Sequence, residues 1–125
     1  MKILLLALSL TSIQALAHGL TRAYLAHSIG LNTQEPVRFQ LTQKIRADIC
    51  NSYMVHSDEF IKSGAQPSSL RYISDAEVSK TEMDCGSDEV RIIKVKTRIL
   101  KVQPLNGHVD FTLYAPKEWT LKILR

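Results

Sequence analysis

Between Val37 and Cys50 the chain alternates. The odd positions Val37, Phe39, Leu41, Ile45, Ala47 and Ile49 are apolar, with Gln43 the one exception, and the even positions Arg38, Gln40, Thr42, Lys44, Arg46 and Asp48 are polar. Successive side chains of a strand point to opposite faces, so a period of two marks an extended segment with one dry face and one wet face. A helix would gather Val37, Leu41, Ile45 and Ile49 but would leave Phe39 and Ala47 outside its apolar stripe. The segment is therefore expected to form one long or bent strand, or two strands broken near Gln43.

The same period returns near the end of the chain. Val109, Phe111 and Leu113 alternate with His108, Asp110 and Thr112, and Trp119, Leu121 and Ile123 alternate with Thr120, Lys122 and Leu124. Asn106-Gly107 is a hairpin-turn signal, because both residues tolerate the positive φ that a tight two-residue turn demands. Val90 to Val102 is less regular. Seven of its thirteen residues are β-branched, which favours a strand. Ile92, Val95, Ile99 and Val102 also fall at helical spacing, and Ser87-Asp88-Glu89 could cap a helix. The bulged-strand reading is preferred, giving three strands joined by short turns between Glu89 and Arg125. Tyr53-Met54-Val55 and Leu70-Arg71-Tyr72-Ile73 are short strand candidates, Asp58 to Ile61 a single helical turn, and Ser79 to Asp88 a polar loop anchored by Cys85. The pattern predicts an all-β, mainly antiparallel fold: a small β-sandwich or barrel with one disulfide.

The first 17 residues follow a different grammar. Met1-Lys2 supplies a positive start, 3–10 is mostly aliphatic, and Ala15-Leu16-Ala17 puts small residues where a signal peptidase reads. The apolar run is far shorter than the roughly 20 residues that cross a bilayer as a helix. Residues 1–17 are expected to be a signal peptide cleaved after Ala17, leaving 18–125 as a single β-rich domain, periplasmic or secreted and not membrane-spanning.

Export gives the cysteines a meaning. Cys50 and Cys85 are the only two, and an even pair in a small exported domain is expected to form a structural bridge. No C-x-x-C motif is present to suggest a redox pair. Without Lys2, 15 Lys and Arg stand against 12 Asp and Glu, a mildly basic balance compatible with anionic partners.

Two sets of residues are candidates for chemistry. The first is a basic strand. Bulges at Ile92-Ile93 and Ile99-Leu100 would place Arg91, Lys94, Lys96, Arg98 and Lys101 on one side, five cations able to grip a phosphate or sulfate polymer. No aromatic residue is interleaved with them, so specific nucleic-acid binding is not expected. The second is His18. As a mature N-terminus it would offer an amine and a ring nitrogen to one metal ion. A second His, with His108 the candidate and His27 and His56 also available, would complete a nitrogen-rich set suited to copper. The start His18-Gly19 resembles that of copper-dependent polysaccharide oxygenases, and a mature N-terminal His is also used by exported copper carriers. That resemblance implies copper as the alternative cofactor; otherwise none is expected.

Catalysis has no motif behind it. The chain has no Gly-x-Ser-x-Gly elbow, no Walker A loop, no dinucleotide-binding glycine pattern and no His-Glu-x-x-His. The expectation is a non-enzymatic binding module recognising a protein partner or an anionic envelope or cell-surface polymer, with periplasmic copper binding through His18 as the alternative.

Overall fold

The computed structural model describes residues 3–6, 13–17, 20–63, 70–86 and 88–124. It is all-β, with twelve strands and no helix among the described residues. The strands are β1 (Ile3–Leu6), β2 (Ile13–Ala17), β3 (Leu20–Asn32), β4 (Val37–Asp48), β5 (Tyr53–His56) and β6 (Phe60–Ser63), then β7 (Arg71–Ser74), β8 (Glu77–Lys80), β9 (Val90–Lys96), β10 (Leu100–Val102), β11 (His108–Pro116) and β12 (Thr120–Leu124). Pairing is antiparallel throughout except between β7 and β11.

Two larger sheets form the body. One runs β1-β3-β11-β7-β6, with β2 also on β3; the other is built around β4, which pairs β12 on one side and both β9 and β10 on the other. A two-stranded ribbon, β5-β8, completes the structure. The backbones of β1 and β2, inside the expected leader, lie along the edge of β3 away from β11.

The alternation of 37–50 becomes β4, unbroken from Val37 to Asp48. Its odd side chains Phe39, Leu41 and Ala47 are buried. Phe39 and Leu41 meet Ile29 and Leu31 of β3 and Val109, Phe111 and Leu113 of β11 in the core. Phe111 holds the layers together: its ring centroid is 5.0 Å from Phe39 and 5.4 Å from Tyr72, both edge-on. Each buried aromatic or aliphatic side chain contributes about 1.5–3 kcal/mol, and edge-to-face pairs add about 0.5–1.5 kcal/mol. Trp119 closes one end, its indole N–H donating to the Ala76 carbonyl at 3.1 Å.

Three local expectations are corrected. The stretch 90–102 is neither a helix nor one bulged strand, but two strands separated by Thr97–Ile99. The break is pinned by buried Thr97. Its N–H donates to the Leu41 carbonyl at 3.0 Å, and its hydroxyl accepts from the Leu41 N–H at 3.1 Å. A side chain that satisfies the partner strand lets the chain leave the ladder and rejoin it at Leu100. The helical turn expected at 58–61 is absent, because Phe60–Ser63 is recruited as β6 against β7. Asn106-Gly107 does form the tight turn, with φ of 52° and 76°, bridging Leu105 and His108. Yet it makes no hairpin: β10 before it belongs to the β4 sheet and β11 after it to the β3 sheet. The turns from β3 to β4 and from β11 to β12 cross between the same two sheets.

Candidate functional site

The ribbon β5-β8 projects a loop whose shape is set by residue counting. Tyr53 pairs with Lys80, and the ladder continues one step: Thr81 N–H donates to the Ser52 carbonyl at 3.1 Å, and Ser52 N–H to the Thr81 hydroxyl at 3.0 Å. Beyond that step, the Cys50–Cys85 disulfide ties the chains together with Cα atoms 5.5 Å apart. Between these two ties one chain has a single residue, Asn51, and the other has three, Glu82, Met83 and Asp84. The two surplus residues cannot be absorbed in the ladder, so the longer side arches outward. Thr81, Glu82, Met83 and Asp84 are all exposed, Met83 at 60%.

Asn51 fills the space beneath the arch. Its side-chain oxygen accepts from the Met83 N–H at 2.9 Å and from the Thr81 hydroxyl at 2.8 Å. Its amide nitrogen donates to the Met83 carbonyl at 3.3 Å and to the Asp48 carboxylate at 3.3 Å. A side-chain amide carries the same donor and acceptor as a backbone peptide, so Asn51 replaces the missing strand residue. Asp48 sets which end of that amide faces which group. It sits at the end of β4, its N–H donates to the Tyr53 hydroxyl at 2.8 Å, and its carboxylate also pairs with Lys80 at 3.4 Å. The hydrogen bond and charge of Asp48 push the Lys80 ammonium upward in pKa. Thr81 and Met83 are thus both held from below. Glu82, between them, makes no hydrogen bond with any described residue, and the Glu82–Met83 peptide forms the crest.

The sequence-predicted cations separate. The β9–β4 register is continuous from Thr42↔Lys96 to Asp48↔Val90, so no bulge occurs at Ile92-Ile93. Arg91 therefore lies on the face of Ile93 and Val95, opposite Lys94 and Lys96. Arg98 leaves the group as well, pairing with Asp58 at 3.3 Å. Lys101 stands opposite Arg38 on the wet side of β4 and stays with Lys94 and Lys96.

His18 lies outside the described residues, so its relation to His108 is not placed. The His108 ring nitrogen Nδ1 is 2.5 Å from the Asn32 side-chain oxygen, and His56 contacts the Ser79 hydroxyl. No group of three or more His, Cys, Asp or Glu able to hold a metal ion occurs among the described residues. No helix there is long and apolar enough to cross a membrane.

The arch is the feature that sequence reading passed over. Cys85 marked 79–88 as anchored, but the one-against-three count emerges only from the β5–β8 register. Comparison with family profiles, curated proteins and solved structures returns no match for the chain.

Proposed function

We propose that this domain is an exported protein-binding module whose working surface is the arch at Thr81–Asp84, and that its partner is the cleft of a serine endopeptidase, which the arch blocks. An endopeptidase binds its substrate as an extended strand. A segment already extended, exposed and immobilised enters such a cleft with little ordering cost, the general route to tight association over a modest interface.

The brace also explains why such an encounter would inhibit rather than destroy. Attack of the protease serine on the Glu82 carbonyl breaks the bond to Met83 and frees the Met83 amine. On the acyl side, Thr81 stays bound to Ser52 and Asn51. On the amine side, Met83 stays bound to Asn51, and Cys85 is covalently tied to Cys50. The amine remains beside the acyl group, so re-forming the peptide and expelling the serine outruns hydrolysis, as high effective molarity dictates. The observation that carries this reading is that Asn51 holds both Thr81 and Met83 and leaves Glu82 between them as the presented residue.

Glu82 at the crest selects a protease whose specificity pocket is cationic, one that cleaves after acidic residues. The test is titration of the protein against a glutamate-selective serine endopeptidase and against trypsin. Wild type is expected to inhibit the first and spare the second, and Glu82→Arg to reverse the order. Rapid cleavage of the wild type after Glu82 with the disulfide intact, or failure of Glu82→Arg to inhibit trypsin, would overturn the proposal.

A further inference from the structure

The solvent face of the β4 sheet gathers many of the chain's cations. Directly opposed residues of an antiparallel pair share a face, so the registers assign it. Even positions of β4 supply Arg38, Lys44 and Arg46; β9 supplies Lys94 and Lys96; β10 supplies Lys101; β12 supplies Lys122. The acid on these strands' wet face is Asp48, already paired with Lys80. The whole chain has 16 Lys and Arg against 12 Asp and Glu, so without these seven cations and Asp48 it has nine against eleven. The net positive charge of the protein is therefore a property of this one surface.

Its internal arrangement is unfavourable for a face that only meets water. Lys44 stands directly opposite Lys94 across the ladder, with Arg46 and Lys96 each two residues away on the same side. Like charges in opposed positions destabilise a sheet. None of the seven makes an ion pair with a described residue. Beside the Lys44–Lys94 pair, where β12 begins, lies an open depression of about 480 Å³ lined by Thr42, Lys44, Lys94, Glu118, Thr120 and Lys122.

We infer that this face binds a linear anionic polysaccharide, its sulfate or carboxylate groups lying over the Lys44–Lys94 pair and along the two rows of cations. From Arg38 to Arg46 the face runs about 26 Å at the rise of a strand. Its densest part is the block Lys44, Arg46, Lys94 and Lys96, spaced about 7 Å along each strand and about 5 Å across the Lys44–Lys94 pair, with Arg38, Lys101 and Lys122 further along β4. That array suits a flexible polymer with charges along its length. Five of the seven cations are Lys, point charges that accept many anion geometries, rather than a set of Arg forks built for one. No aromatic side chain of the described residues is interleaved with these cations, so the face offers no platform on which unpaired bases could stack. Both the cations and the depression lie on the β4 sheet, not on the Glu82 arch, so this ligand and the endopeptidase are independent of one another.

Retention on heparin, read as the salt concentration of elution, tests the inference. Wild type should be retained, and Lys44→Ser/Lys94→Ser/Lys96→Ser should elute at least several-fold earlier in salt. Arg91→Ser/Arg98→Ser, which removes two cations from elsewhere, should elute close to wild type. Lys44→Arg/Lys94→Arg/Lys96→Arg keeps the charge and should restore retention, separating loss of binding from loss of fold. Equal weakening by the triple and double variants would reduce the effect to net charge and overturn the site. So would binding to anionic vesicles or to duplex DNA as tight as binding to heparin in the same salt.

Discussion

Asn51 and Met83 are paired as two strand residues would be, although only one of them uses its backbone. The Asn51 side chain accepts from the Met83 N–H at 2.9 Å and donates to its carbonyl at 3.3 Å. An exposed arch thereby acquires strand-like restraint without a strand beside it. Asn51→Ala should lower global stability by only about 1–2 kcal/mol, because most of these hydrogen bonds are exposed, water replaces them, and their net contributions do not sum in full. The arch itself should lose its shape. Limited digestion and mass spectrometry should show cleavage after Glu82 rising at least tenfold, while the thermal midpoint moves by a few degrees only.

The disulfide closes the other side of the arch across a sequence separation of 35. By the chain-entropy estimate, Cys50→Ser/Cys85→Ser should lose roughly 4 kcal/mol. Urea unfolding should show a lower midpoint. In the same variant, the proposed inhibition of a glutamate-selective endopeptidase should give way to plain substrate turnover.

His27 lies on β3 with its side chain buried at 8% exposure, and its Nε2 has no hydrogen-bond partner among the described residues. Burial pushes its pKa below the ordinary 6.5. The neutral ring is therefore the form the fold accepts, and the unfolded chain takes up a proton first as pH falls. This contribution to stability is fully present above pH 6.5 and is lost progressively as pH drops from there toward the depressed folded value. Unfolding midpoints between about pH 7.5 and 5 should fall in the wild type. They should fall less in His27→Gln, which cannot titrate.

Phe111 touches both Phe39 and Tyr72 and is 3% exposed. Phe111→Ala should cost about 3–5 kcal/mol, the range for emptying an aromatic site in a packed core. Because small domains hold only about 5–15 kcal/mol in total, denaturant titration should find this variant close to the limit of folding. Leu113→Ala, fully buried on the same strand, should fall slightly below it at about 2–5 kcal/mol.

What could be read from the sequence divides along a physical line. Strands such as Val37–Asp48 and His108–Pro116 were legible because burial of one face writes itself directly into period two. The Asn106-Gly107 turn was legible because positive φ restricts residue type. Partnership was not, since a turn fixes the reversal of the chain but not the sheet in which the next strand lies. The face of Arg91 was not legible for a related reason. A bulge changes the face of every later residue, and only the β9–β4 register excludes one at Ile92-Ile93. Asn51 left no periodic trace at all. Its role depends on a mismatch of lengths between two tied strands, a quantity that does not exist until they are paired.

The sheet-crossing turns have a kinetic meaning. Where consecutive strands are ladder partners, a hairpin can form in microseconds and seed the rest of the sheet. Here β10 and β11 flank a tight turn but bond to other strands, and the β3–β11 ladder closes across a long span, with Asn32 and His108 76 residues apart. Chain closure over such spans must precede most of the favourable contacts. Folding is therefore expected in the millisecond-to-second range of high-contact-order domains, with the open chain persisting for longer than its size alone would suggest.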